Sequence, residues 1–130
     1  MEISVDVWLR GDNHATTYVI TSAGGEPGSW TESDVSAVLV SMLRTLERAR
    51  NPEVPVDRPV ALRGFSWIVN PFEDGGVVIA LELSLGAIVA GPFHIAERDL
   101  SILIQNAIET DAKMMSRAMS ARIETSDTIH

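Results

Sequence analysis

Glu82 is the most informative of the few side chains in this sequence that could do chemistry. It interrupts an apolar run over residues 77–85, where burial would favour the neutral carboxyl group and suit acid catalysis. We favour the competing interpretation, in which period-two alternation puts Glu82 on a strand face that meets water or a partner. His94 is the second candidate, since Glu97 follows it at helical spacing, as two ligands of one metal would. No third ligand can be named, so we predict no metal site, and Glu82 and His94 are candidates for lining a small-ligand pocket.

The other motifs that could belong to an enzyme are incomplete. His14 lies near Asp12, and such a pair can orient an imidazole as a base, but a solvated histidine in a turn is the commoner case. Residues 86–91 (GAIVAG) have the glycine spacing of a phosphate-binding loop but lack the Lys and the Ser or Thr that follow it in that motif. The sequence has no cysteine, and therefore no thiol nucleophile. We favour a protein that is not an enzyme and has no cofactor.

The composition indicates one acidic, folded domain. The chain of 130 residues has a net charge of −8 and an apolar fraction of 45%, which suit a single domain over residues 1–130, with a frayed tail at about 125–130. The acidity argues against direct binding of nucleic acid, because neutralising phosphates requires Lys and Arg, and it suits a basic protein partner. Residues 76–93 approach the length of a membrane span, but Glu82 near their middle favours a strand. Since no signal-peptide pattern is present, we expect a cytoplasmic protein without a membrane partner.

The first half of the chain has the pattern of a hairpin followed by a helix. Apolar residues alternate over residues 3–9, and residues 15–22 are β-branched and aromatic, so the two segments should pair as antiparallel strands. Thr31 is a favourable N-cap, and apolar residues follow it at helical spacing. Asn51 and Pro52 should end this helix.

The second half has the same order of elements. Residues 60–70 and 77–85 should form a second hairpin. The segment 77–85 belongs to the central strand of the sheet, and residues 91–94 (GPFH) should end that strand. A helical stripe then runs from about residue 96 to about residue 124, interrupted at Asp111, where a kink or a second helix could lie. We therefore predict an α+β fold with the order ββαββα. Its four-stranded, mainly antiparallel sheet would carry both helices on one face.

Two surfaces of this predicted fold have no partner within the chain. Aromatic residues on an open sheet face usually contact another molecule, and a second copy of the chain is the simplest partner. The methionine-rich end of the last helix suggests the same, because methionine is common at adaptable interfaces. We therefore predict a homodimer and propose six interface residues: Trp8, Tyr18, Trp67, Met114, Met115 and Met119.

Three functions agree with these observations. The first is a non-enzymatic protein-interaction module that self-associates and binds another protein. The second is an inhibitor, such as an immunity, antitoxin or anti-defence protein, whose carboxylates lie on one face and cover a basic nucleic-acid-binding groove. The third is an enzyme or small-ligand binder that uses a pocket between helix and sheet near Trp67, Glu82 and His94.

Overall fold

The computed structural model describes residues 1–22, 24–73 and 75–129, and the side chains of its last helix as far as Ala118. In chain order, the elements are β1 (Glu2–Leu9), β2 (Thr16–Thr21), a 3₁₀ turn (Pro27–Ser29), α1 (Glu32–Arg50), β3 (Ser66–Pro71), β4 (Val77–Leu83), β5 (Gly86–Phe93) and α2 (Glu97–Ile129). The five strands form one sheet in the order β2-β1-β5-β4-β3, and all neighbouring strands are antiparallel. The α+β class is therefore confirmed.

The number of strands corrects the prediction, because the sheet has five strands where the sequence pattern predicted four. The order of elements is thus ββαβββα. The run that includes residues 77–85 ends as β4 at Leu83, and the chain reverses over Ser84 and Leu85 into β5. The predicted central strand is therefore next to the edge strand β3, and β5 lies in the middle of the sheet. Residues 91–93, which were predicted to end a strand, belong to β5.

Gly86 makes the close approach of β5 to β1 possible. Its φ angle is +150°, and a Cβ atom at this position would collide with the carbonyl oxygen of Trp8. The same Cβ would lie 3.0 Å from the Cα atom of Leu9. Both obstacles are backbone atoms, which cannot rotate away, so only glycine fits between the two strands.

Replacing Gly86 with alanine should lower the free energy of unfolding by about 2 kcal/mol or more, because β5 would have to move away from β1. Gly25→Ala is the matched control, since a Cβ atom at Gly25 has no neighbour within 4 Å. Urea unfolding followed by circular dichroism measures both variants. Equal stabilities for Gly86→Ala and Gly25→Ala would contradict this role of Gly86.

Both helices pack on the same face of the sheet. Alternate residues of the strands and one stripe of each helix form a single buried cluster, as predicted. Its largest fully buried side chains include Phe93, Leu39, Met42, Leu46, Ile79, Leu81, Ile88, Leu100 and Ile104. α1 begins after the N-cap Thr31, as predicted. The Thr31 hydroxyl oxygen accepts a hydrogen bond from the backbone N–H of Asp34 at 3.2 Å, and the Asp34 carboxylate accepts one from the N–H of Thr31 at 2.9 Å.

The connector between α1 and β3 is fastened to the last helix by Asp111. The third strand was predicted to begin at residue 60, but β3 begins at Ser66 and residues 51–65 form no strand. Leu62 of this connector is buried, and its N–H donates a hydrogen bond to the Asp111 carboxylate at 2.9 Å. The polar residue that interrupts the helical stripe therefore has a structural partner, and α2 continues through it to Ile129 as one helix, past the predicted end near residue 124.

Replacing Asp111 with alanine should lower the free energy of unfolding by about 1–3 kcal/mol, since the partly buried N–H of Leu62 would lose its charged acceptor. Glu109→Ala, an exposed position two residues earlier on α2, is the control and should change the stability little. Thermal and urea unfolding compare the two variants. The role of Asp111 would be refuted if both variants matched the wild-type chain.

Within the described residues, none of the helices combines the length and the apolar character that crossing a membrane would require.

Candidate interaction surface on the open face of the sheet

The face of the sheet opposite the helices is uncovered, and the strand register places its side chains in rows. One row crosses four strands through Trp8, Ala87, Glu82 and Ser66. The next row consists of Asp6, Val89, Ala80 and Ile68. Since side chains alternate along a strand, these residues point away from their buried neighbours Val7, Ile88 and Leu81. We refer to the two rows together as the open face.

The open face is apolar in its middle. Trp8 is 38% exposed on one side and Ile68 is 50% exposed on the other. Between them lie the short side chains of Ala80 and Ala87, so the surface dips into a shallow depression of about 170 Å³. Exposed apolar side chains beside a depression are typical of surfaces that bind another molecule.

The charges on the open face are all negative. Glu82 lies on the border of the depression and is exposed, and no described residue forms an ion pair with it. The Asp6 carboxylate accepts a hydrogen bond from the Thr17 hydroxyl at 2.6 Å, which fixes its position beside Val89. All residues of the five strands are described, and none of them is Lys, Arg or His. The surface therefore presents carboxylates around an apolar centre.

The residues predicted from the sequence are distributed over several surfaces. Trp8 and Glu82 lie on the open face, as the alternation of their strands indicates. Tyr18 and Trp67 point to the helix side, because they are register partners of the buried Val5 and Leu81. On α2, Met114 is 65% exposed and Met115 is half-buried, whereas the side chain of Met119 lies outside the described residues.

The structure does not bring Glu82, His94 and Trp67 into one pocket. Glu82 is paired with Ala87, near the start of β5, and His94 follows the end of that strand. His94 is the seventh residue after Ala87 along a mostly extended chain, which corresponds to a distance of about 23 Å. Trp67 points to the opposite side of the sheet from Glu82. The predicted helix–sheet ligand pocket therefore has no counterpart among these three residues.

Sequence reasoning missed the residues that make the open face apolar. Ala87 and Val89 were not proposed as interface residues because β5 was not recognised as a separate strand, whereas Ile68 and Ala80 lie on predicted strands and were not proposed because only aromatic and methionine residues were considered. The sequence of β5 is apolar on both faces, so it shows no alternation, and only the structure shows that Ile88 and Ala90 are buried while Ala87 and Val89 are half-buried. Over the described parts of the chain, no group of three or more His, Asp or Glu side chains is placed to hold a metal ion.

Comparison with known proteins identifies no relative: no protein-family model matches the chain, and neither a curated protein nor a solved structure resembles it significantly.

Proposed function

We propose that this protein is a non-enzymatic interaction module whose open face binds another protein. The observation that carries the proposal is the uncovered apolar strip from Trp8 to Ile68, whose charged neighbours on the strands are all carboxylates. An apolar centre with a polar rim is the usual composition of a protein–protein interface.

The size of the open face suits this function. Five strands spaced about 4.8 Å apart span about 24 Å, and strands of six to eight residues are about 20–26 Å long, which gives a surface of about 500 Å². A stable interface buries about 800 Å² on each partner. The whole uncovered side of the sheet, of which the open face is the central part, can therefore supply more than half of such an interface, and the loops at its borders can supply the rest.

The charge of the open face favours a basic partner over a second copy. Two copies packed face to face would bring Glu82 and Asp6 of each chain towards the carboxylates of the other, which is unfavourable when water is excluded. A partner with Lys or Arg around an apolar patch would match both features. Glu2 also lies on a strand, β1, and the remaining carboxylates of the described chain are spread over both helices and the loops. A mimic of a polyanion would need its carboxylates on one face. The observed distribution therefore favours a general interaction module over an inhibitor of a nucleic-acid-binding protein.

Replacing Ile68 with aspartate should abolish capture of the partner, because a charge would enter the apolar strip. Val56→Asp is the matched control, since Val56 is 62% exposed and lies in the connector, away from the sheet. Affinity purification from a lysate of the source organism, followed by quantitative mass spectrometry, should show at least one basic protein that wild-type and Val56→Asp retain and Ile68→Asp loses. Equal capture by all three forms would refute the proposed surface. Glu82→Lys should weaken the same interaction.

Self-association is a second candidate, supported by the distal half of α2. As far as Ala118, the buried side chains of this helix are Leu100, Ile104 and Ala107, all in its first three turns, although its 33 residues extend about 50 Å. Met114 is 65% exposed beyond them. Most of the stability of a helix in a protein comes from packing of an apolar face, so the stretch around the exposed Met114 would gain stability from a second helix.

If α2 mediates a dimer, light scattering coupled to size exclusion should give about twice the monomer mass for wild type and about the monomer mass for Met114→Glu. Ile102→Glu is the control on the same helix, because Ile102 is also exposed but lies beside the core-forming segment. A monomeric mass for the wild-type chain at high micromolar concentration would refute self-association.

A further inference from the structure

The edge strand β2 has unpaired backbone groups along its outer side. The N-terminal amine of Met1 donates to the carbonyl oxygen of Ser22, and the N–H of Ser22 donates to the carbonyl oxygen of Met1, both at 2.8 Å. Hydrogen-bonded pairs alternate along an antiparallel ladder, so the backbone groups of Thr16, Tyr18 and Ile20 also point to β1. Those of the intervening residues, Thr17, Val19 and Thr21, therefore point away from the sheet.

This edge lacks the features that usually prevent a further strand from pairing. Proteins protect sheet edges with charged side chains, proline, bulges or a covering segment. The sequence of β2, TTYVIT, has no charge, no proline and no glycine, and all of its residues except Ile20 are exposed. The opposite edge strand, β3, ends in Pro71. The two edges thus differ, and β2 is the one suited to pairing.

A groove runs beside this edge, between β2 and α1. It has a volume of about 500 Å³, and its lining includes Tyr18 and Ile20 from β2 and Arg44, Thr45 and Arg48 from α1. Tyr18 is 38% exposed within it. A strand added to β2 would place every second side chain in this groove, because side chains alternate across a sheet.

The groove is positively charged. Arg44 donates to the carbonyl oxygen of Arg58 at 3.2 Å, and Arg48 donates to that of Val54 at 3.0 Å, so neither guanidinium is paired with a carboxylate of the described chain. The Nε atom of Arg44 is buried and has no hydrogen-bond partner among the described residues. No acidic residue lines the groove. Two guanidinium groups that line a groove and have no carboxylate partner among the described residues are suited to an incoming carboxylate.

We propose that β2 and α1 bind an extended acidic segment of another protein, which adds to β2 as a sixth strand. Its backbone pairs with Thr17, Val19 and Thr21, and an Asp or Glu side chain reaches Arg44 and Arg48. A second copy of the chain fits this groove less well, since β2 contains no carboxylate that could pair with these arginines. This site is distinct from the open face, so a negative result for the groove would not contradict binding at the open face, and the reverse also holds.

Selection of random twelve-residue peptides displayed on phage, with the full chain as bait, provides the probe. The selected sequences should alternate β-branched or aromatic residues with Asp or Glu. When a selected synthetic peptide is added, hydrogen–deuterium exchange should slow at the amides of Thr17, Val19 and Thr21, and change little at Tyr18 and Ile20, which already bond to β1.

Two variants test the two halves of the site. Arg48→Glu should weaken binding of the synthetic peptide at least about tenfold, whereas Arg98→Glu, the same charge change on the exposed start of α2, should leave it unchanged. Val19→Pro should also abolish binding, because it removes a donor from the open edge without removing a bond to β1. Circular dichroism confirms that each variant is folded.

Three results would overturn the proposal. The first is a selection that enriches no acidic, strand-forming peptides. The second is a selected peptide that binds Arg48→Glu and Arg98→Glu equally. The third is slowed exchange at Thr17, Val19 and Thr21 in the protein alone as its concentration rises, which would assign the edge to a second copy of the chain.

Discussion

The pairing of β5 with β1 holds this fold together. The first hairpin and the second group of strands are separated in sequence by α1 and a long connector, and β5 joins them by pairing with β1 on one side and β4 on the other. This pairing requires the backbones to approach closely where Gly86 meets Trp8. Because β5 is in the middle, its two faces define the two sides of the molecule: Ile88 and Ala90 are fully buried beneath the helices, and Ala87 and Val89 lie in the open face.

The two helices share one face of a five-stranded sheet, and both proposed binding surfaces lie where the helices leave the sheet uncovered. Side by side, two helices cover about 20 Å, whereas the sheet is about 24 Å wide. α1 lies mainly over β1 and β5, and α2 contacts β3, so β2 at the edge is only partly covered. The remaining gap is the groove beside Tyr18. The opposite face receives no helix at all, since both helices share one side, and its small residues leave it shallow and accessible.

Local signals in the sequence predicted the elements whose formation depends on local interactions. The alternation in β1 and β2 predicted their hairpin, and Thr31 predicted the start of α1, because cap and strand patterns are contained in a few neighbouring residues. The reversal at Ser84 and Leu85 was missed, since Ser84 is the polar residue expected at its place in the alternation, Leu85 is not a turn former, and apolar residues continue on both sides. The side to which Tyr18 points could not be predicted either. That depends on which face of the sheet the helices cover, which is settled by long-range packing.

The arginines of α1 explain how an acidic protein can have a positively charged groove. Arg44 and Arg48 donate to carbonyl oxygens of the connector, and Arg58 of the connector forms an ion pair with Glu47 of α1 at 2.6 Å. These contacts hold several positive charges together near the C-terminal end of α1, where the helix dipole also favours them. Residues elsewhere therefore carry most of the negative charge, including those of the open face. The two surfaces differ in sign because the connector fixes the arginines at one side of the sheet, so charge alone would direct a basic surface to the open face and an acidic segment to the groove.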